Sequence, residues 1–172
     1  MVIHYILSVI CGLGVIGIDQ LTKFYISTNF TLDQTGDFLN GFISLCYVHN
    51  PGAAWGILSG KTWLLLVVTL AVMICCVVWI IKTGAKNKLL LWAITMVLSG
   101  GIGNLIDRVF RNGTVVDFLQ FDFWKDFPVF NIADCAIVLG AGLLILYFTL
   151  DTIKEYKQSK ALKEEQNGED LV

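Results

Sequence analysis

The chain has 172 residues, 56% of them hydrophobic and only 15% charged, with a formal net charge of -2. A soluble domain carries about a quarter charged residues, so the apolar excess points to a lipid solvent, and the slight acidity excludes a strongly basic nucleic-acid binder. Five cysteines without a CxxC pair, beside only His4 and His49, supply neither a disulfide framework nor a zinc-ligand set; they read as small buried hydrophobes.

Four apolar stretches, at about residues 3–24, 63–81, 89–106 and 133–150, are each long enough to cross a bilayer as a helix. The first lacks the basic start and the small-residue cleavage site of a signal peptide and is expected to be retained as a span. Long connections at 27–60 and 107–131 alternate with a short basic turn at 82–88, and a charged tail runs over 151–172. Lys82, Lys86 and Lys88 crowd the turn, and Lys154, Lys157, Lys160 and Lys163 open the tail, whereas the long loops carry only Lys61, Arg108, Arg111 and Lys125. The denser clusters belong inside, which makes both termini cytoplasmic and turns the long loops outward. Residues 42–49 and 114–121 are β-branched and aromatic and read as strands that could pair above the membrane. Phe121, Phe123, Trp124 and Phe127 suit the headgroup level. The expected fold is an all-α membrane protein: one domain of four transmembrane helices over 1–150, a small β-containing extracytoplasmic region, and a cytoplasmic tail.

With this orientation the unusual polar residues gather at the outer interface. Asp19 and Gln20 close the first span, with Lys23 one turn on as an ion-pair partner for Asp19. Upstream, Gly12, Gly14 and Gly17 spell GxGxxG, but inside a membrane span that pattern serves close helix packing, not dinucleotide binding. Asn50-Pro51-Gly52 opens a tight loop that runs to Gly56. At the end of the third span, Asn104 and Asp107 share a helix face beside the fixed cation of Arg108. Asp117 interrupts an apolar strand-like run. Asn131 suits a helix N-cap, and Asp134 then lies in the first turn, where the helix dipole favours an anion. A solvated strand charge and a helix cap would account for these two aspartates equally well. A turn over 124–128 could also bring them together. Two carboxylates in contact hold one proton between them, so that one can activate water while the other polarises a carbonyl.

The set Asp19–Lys23, Asn50–Gly56, Gly101–Arg108, Val116-Asp117-Phe118 and Phe130–Asp134, in this order and between four spans, resembles the bacterial lipoprotein signal peptidases (signal peptidase II) over about residues 15 to 150. The resemblance implies an aspartic endopeptidase of the bacterial cytoplasmic membrane, with its active site at the outer face and no cofactor or metal. It would act on prolipoproteins bearing diacylglyceryl-cysteine and cut on the amino side of that cysteine. By motif, Asp117 and Asp134 are the catalytic pair, and Asp19, Asn50, Gly52, Asn104, Asp107, Arg108 and Asn131 support it or bind substrate. The alternatives are a small proton- or ion-coupled transporter, whose carboxylates belong near the bilayer midplane, and a membrane scaffold protein.

Overall fold

The computed structural model describes residues 2–52, 57, 58, 60–83 and 87–169. Positions 53–56 of the Asn50 loop and 84–86 of the basic turn lie outside them. Four helices, α1 (Val2–Asn29), α2 (Thr62–Thr83), α3 (Lys88–Phe110) and α4 (Ile132–Glu169), alternate with three strands, β1 (Thr35–Leu39), β2 (Ile43–Asn50) and β3 (Val115–Phe121). All four helices are long and apolar enough to cross a membrane.

Two helices outrun the expected spans. α1 continues to Asn29, where the Asn29 amide donates to the Tyr25 carbonyl at 2.8 Å and closes the last turn. α4 runs unbroken to Glu169. Apolar content marks where a helix leaves lipid, but helix propensity persists beyond that point. Asn87 caps α3 by accepting from the Leu89 and Leu90 amides at 2.9 and 3.3 Å.

α3 is the central helix and packs against α1, α2 and α4. Half of its membrane window, 50%, is buried, against 11–17% for the other three, whose large apolar side chains face outward as lipid requires. Glycines permit the close crossings. A Cβ on Gly140 would meet the Ala93 carbonyl at 2.7 Å, and one on Gly103 would meet Asp19 Oδ2 at 2.6 Å. Of the GxGxxG glycines only Gly12 faces a neighbouring helix, at Thr95; Gly14 and Gly17 meet open space. The cysteines are all free, and only Cys76 is buried; Cys75 is exposed and Cys135 is exposed beside the cavity described below, which corrects the expectation of uniform burial.

The two expected strands pair antiparallel as β2 and β3, and β1 adds an edge strand that the composition did not disclose. β1 and β2 form a hairpin over Asn40-Gly41, with Gly41 at φ 72°. Ile26 of α1 packs with Tyr47, Val116, Phe118 and Leu119 in a cluster that fixes the sheet to the helix ends.

Candidate active site

The β2–β3 register decides what faces Asp117. Leu45 pairs with Leu119, but beyond a bulge Val48 pairs with Asp117 and Asn50 with Val115. Directly paired residues share a sheet face, and that face recurs every second residue. The extra residue therefore brings Val48 and Asn50, instead of Tyr47 and His49, to the side of Asp117. Asn50 Nδ2 donates to Asp117 Oδ2 at 2.8 Å, and Asn50 Oδ1 accepts from the Gly52 amide at 2.9 Å. His49 instead pairs with the Tyr47 hydroxyl at 2.7 Å.

After β3 the chain turns through 122–129 and returns beside it. Leu119 and Phe130 exchange two backbone hydrogen bonds, at 2.8 and 2.9 Å. Asn131 follows at once and caps α4. Its Oδ1 accepts from the Asp134 amide at 2.9 Å, and Asp134 Oδ2 accepts from the Asn131 amide at 3.2 Å, a reciprocal capping box. Asn131 Nδ2 also donates to Asp117 Oδ1 at 2.6 Å. The residue that starts the helix of one aspartate thus holds the other. Asp134 Oδ1 accepts from Asn104 Nδ2 at 2.7 Å. Every oxygen of both carboxylates has a donor, yet both side chains line one cavity.

That cavity has a volume of about 700 Å³. Its polar end is built from Asn50, Gly52, Asn104, Arg108, Asp117 and Asp134, and its walls from apolar side chains including Leu65, Phe127, Val138 and Leu139. Arg108 donates to the Gly52 carbonyl at 3.1 Å, while its buried Nε has no partner among the described residues. Asp117 is almost fully buried, and burial, reinforced by the charge of Asp134, pushes its carboxyl from the usual 3.8 up to about 7 in spite of the amides of Asn50 and Asn131. Among the described residues no group of histidine, cysteine and carboxylate side chains could hold a metal ion.

Behind the aspartates lies a second polar layer. Asp19, Lys23 and Asp107 have no exposed surface. Lys23 Nζ lies 2.9 Å from Asp19 Oδ2 and 3.2 Å from Asp107 Oδ2, and donates to Asn104 Oδ1 at 2.9 Å. Gln20 bridges Asp19, Asp107 and the Gly103 carbonyl at 3.1–3.3 Å. All nine residues singled out in the sequence therefore converge on this region. Asn50, Gly52, Asn104, Arg108, Asp117 and Asp134 line the cavity, and Asn131, Asp19 and Asp107 lie behind it. Sequence reasoning assigned Lys23 only an ion pair and gave Gln20 no part in the site. The signal for both was their spacing from Asp19 in an otherwise apolar helix. The apolar cavity wall left no signal at all, since Leu65 or Val138 looks like any lipid-facing residue.

The chain matches the family model for signal peptidase (SPase) II over residues 11–150. It belongs to the signal peptidase II family. Within that family it is 38% identical over 168 residues to a lipoprotein signal peptidase of Enterococcus faecalis, covering 98% of this chain and 96% of the relative. It is 42% identical over 157 residues to that of Bacillus pumilus, covering 91% and 97%. A solved bacterial membrane enzyme, determined by the in meso method, superposes with a TM-score of 0.79 at 36% identity, covering 84% of this chain and 88% of that one. As a signal peptidase II family member the chain is a peptidase built on four membrane-length helices.

Proposed function

We propose that this protein is an aspartic endopeptidase that removes signal peptides from diacylglyceryl-modified prolipoproteins at the outer face of the bacterial cytoplasmic membrane, with Asp117 and Asp134 as the catalytic pair. The observation that carries the reading is the joining of the two aspartates through Asn131 at the polar end of a cavity whose walls are apolar. The name of these relatives, lipoprotein signal peptidase, supports the substrate class.

With its carboxyl at about 7, Asp117 retains a proton near neutral pH. Asp134, at the N-terminus of α4, is favoured as the anion by the helix dipole. In the proposed reaction the ionised carboxylate takes a proton from a water placed between the pair. The protonated one donates to the scissile carbonyl oxygen as water oxygen bonds to carbon. The pair then returns a proton to the departing amine as the C–N bond breaks, leaving a carboxylate on the signal peptide and a free amino group on the lipidated cysteine. Asn50, Asn104 and Asn131 keep the carboxylates in register, because each has donors that tolerate either protonation state.

The apolar walls suit the acyl chains, which stay in lipid while the peptide bond is held beside the polar end. The lysines of the 82–88 turn and the tail support a cytoplasmic location for that side, and so an outward-facing site. The test uses detergent-purified protein and a diacylglyceryl-modified prolipoprotein peptide. Wild type cleaves it, Asp117→Asn and Asp134→Asn remain folded and do not, and a chelator has little effect. Cleavage surviving either substitution would remove the dyad. Strong inhibition by the chelator would point to a metal mechanism.

A further inference from the structure

We infer that Lys23 is the positioning residue of the aspartate pair: its one ammonium fixes the backbone before Asp117, the backbone before Asp134 and the orientation of the amide that holds Asp134. The inference rests on the reading of Asp117 and Asp134 as the reacting pair. Lys23 does not line the cavity and acts only through its partners.

An ammonium has three donors and no acceptor, and here it donates to Asn104 Oδ1 and forms ion pairs with Asp19 Oδ2 and Asp107 Oδ2. Each of the two carboxylates is also attached to a backbone N–H. Asp19 Oδ1 accepts from the Ala133 amide at 2.9 Å, and Ala133 immediately precedes Asp134. Asp107 Oδ2 accepts from the Val116 amide at 2.9 Å, and Val116 immediately precedes Asp117. The helix bearing one aspartate and the strand bearing the other are thus referred to a single nitrogen atom through two matched two-step links. The hydrogen bond from Lys23, with a second from Asn131 Nδ2 at 3.1 Å, sets Asn104 through its Oδ1. Because the ammonium cannot accept, the amide must turn its oxygen towards Lys23 and its NH₂ towards Asp134 Oδ1. The reversed amide would set donor against donor and oxygen against carboxylate.

A buried ion cluster is a weak device for stability, because desolvation offsets much of its attraction and apolar residues of similar volume often serve as well. Geometry is what it supplies here. A displacement of about 1 Å at reacting groups costs on the order of 10²-fold in rate, so the benefit of rigid spacing falls on turnover rather than on substrate affinity.

The experiment compares wild type with a charge-preserving Lys23→Arg and with a neutral triple variant, Lys23→Met, Asp19→Asn and Asp107→Asn. The two new asparagines in the triple variant retain acceptors for Ala133 and Val116. Melting in detergent is followed beside kcat and KM on the diacylglyceryl-modified peptide. The expected result is that both variants melt cooperatively, with kcat down at least about tenfold and KM within about threefold. Wild-type kcat in a folded variant of either kind would overturn the inference, as would equal losses in kcat and in affinity for substrate. If neither variant folds, the cluster serves folding and the positioning role falls. Asp134→Asn is the control that separates the two readings. If it still cleaves, the dyad itself has failed; if it is inactive while Lys23→Arg turns over normally, only the role of Lys23 has.

Discussion

Asp117 sits within β3 and Asp122 just past its end, and the two open onto different spaces. Asp117 lines the cavity between the sheet and the helices, with amides as its hydrogen-bond partners and Asp134 nearby. Asp122 lines a polar groove on the far side of the sheet with Thr35, Asp37, Ser44 and Gln120, and pairs with Lys125 at 2.8 Å and with the Ser44 hydroxyl. Burial and a like charge hold the Asp117 carboxyl up at about 7, whereas the hydrogen bonds from Lys125 and Ser44 hold that of Asp122 below its usual value. Both are aspartates on one short segment. What separates a group poised to exchange a proton near neutral pH from a permanently ionised surface group is the loss of water without a cation in direct contact: Arg108 and Lys23 act on Asp117 only from a distance.

The largest expected effect tests whether that difference is chemical. Asp117→Asn lowers turnover of a lipidated peptide by at least about 10³-fold, measured as initial rate in detergent. Next comes Asn50→Ala, which removes the donor to Asp117 Oδ2. A loss of about 10²-fold in kcat is expected. The basic limb of the pH–rate profile should also move upward from near 7, because the amide favours the ionised form and its removal makes the shared proton harder to lose. A downward move would contradict the assignment of that limb to the pair.

A smaller effect is on stability. The folded protein keeps the Asp117 proton up to about 7, whereas the unfolded chain releases it near 3.8. Between these values the folded state binds more protons, so this group's contribution to stability falls as pH rises through the window. Asp117→Asn has no such slope, and its melting temperature should gain on that of wild type from pH 4 to pH 7. A gap that stays constant would mean that Asp117 titrates normally. The smallest expected effect is at Asp122. Asp122→Asn should leave kcat within about twofold, since an exposed pair of this kind contributes little, and a large loss would erase the contrast between the two aspartates.

Much of this was legible in the sequence. The four spans follow from bilayer thickness, and the polar residues at their outer ends are costly enough in lipid to stand out. The strand character of β2 and β3 followed from their β-branched and aromatic content, and their shared outer face left pairing open to them. β1 did not, because Thr35-Gly36-Asp37-Phe38-Leu39 lacks apolar alternation and lies at an exposed edge, although Asn40-Gly41 is a legible hairpin signal. Asn131 and Asp134 were readable as a cap and a first-turn anion, but the reach of Asn131 across to Asp117 depends on the return of the chain beside β3. The bulge that selects Asn50 over His49 has no local signature. Lys23 was visible as a partner for Asp19 but not as the meeting point of α1, α3, β3 and α4, because the amides of Val116 and Ala133 come from remote parts of the chain.

The most direct test of the dyad is product mass after incubation with a diacylglyceryl-modified prolipoprotein peptide and its unlipidated twin. Wild type should release the signal peptide and leave the lipidated cysteine as the new N-terminus. It should cleave the twin far more slowly, and folded Asp117→Asn and Asp134→Asn proteins should yield neither product. Release of the same fragments by either variant would contradict the account.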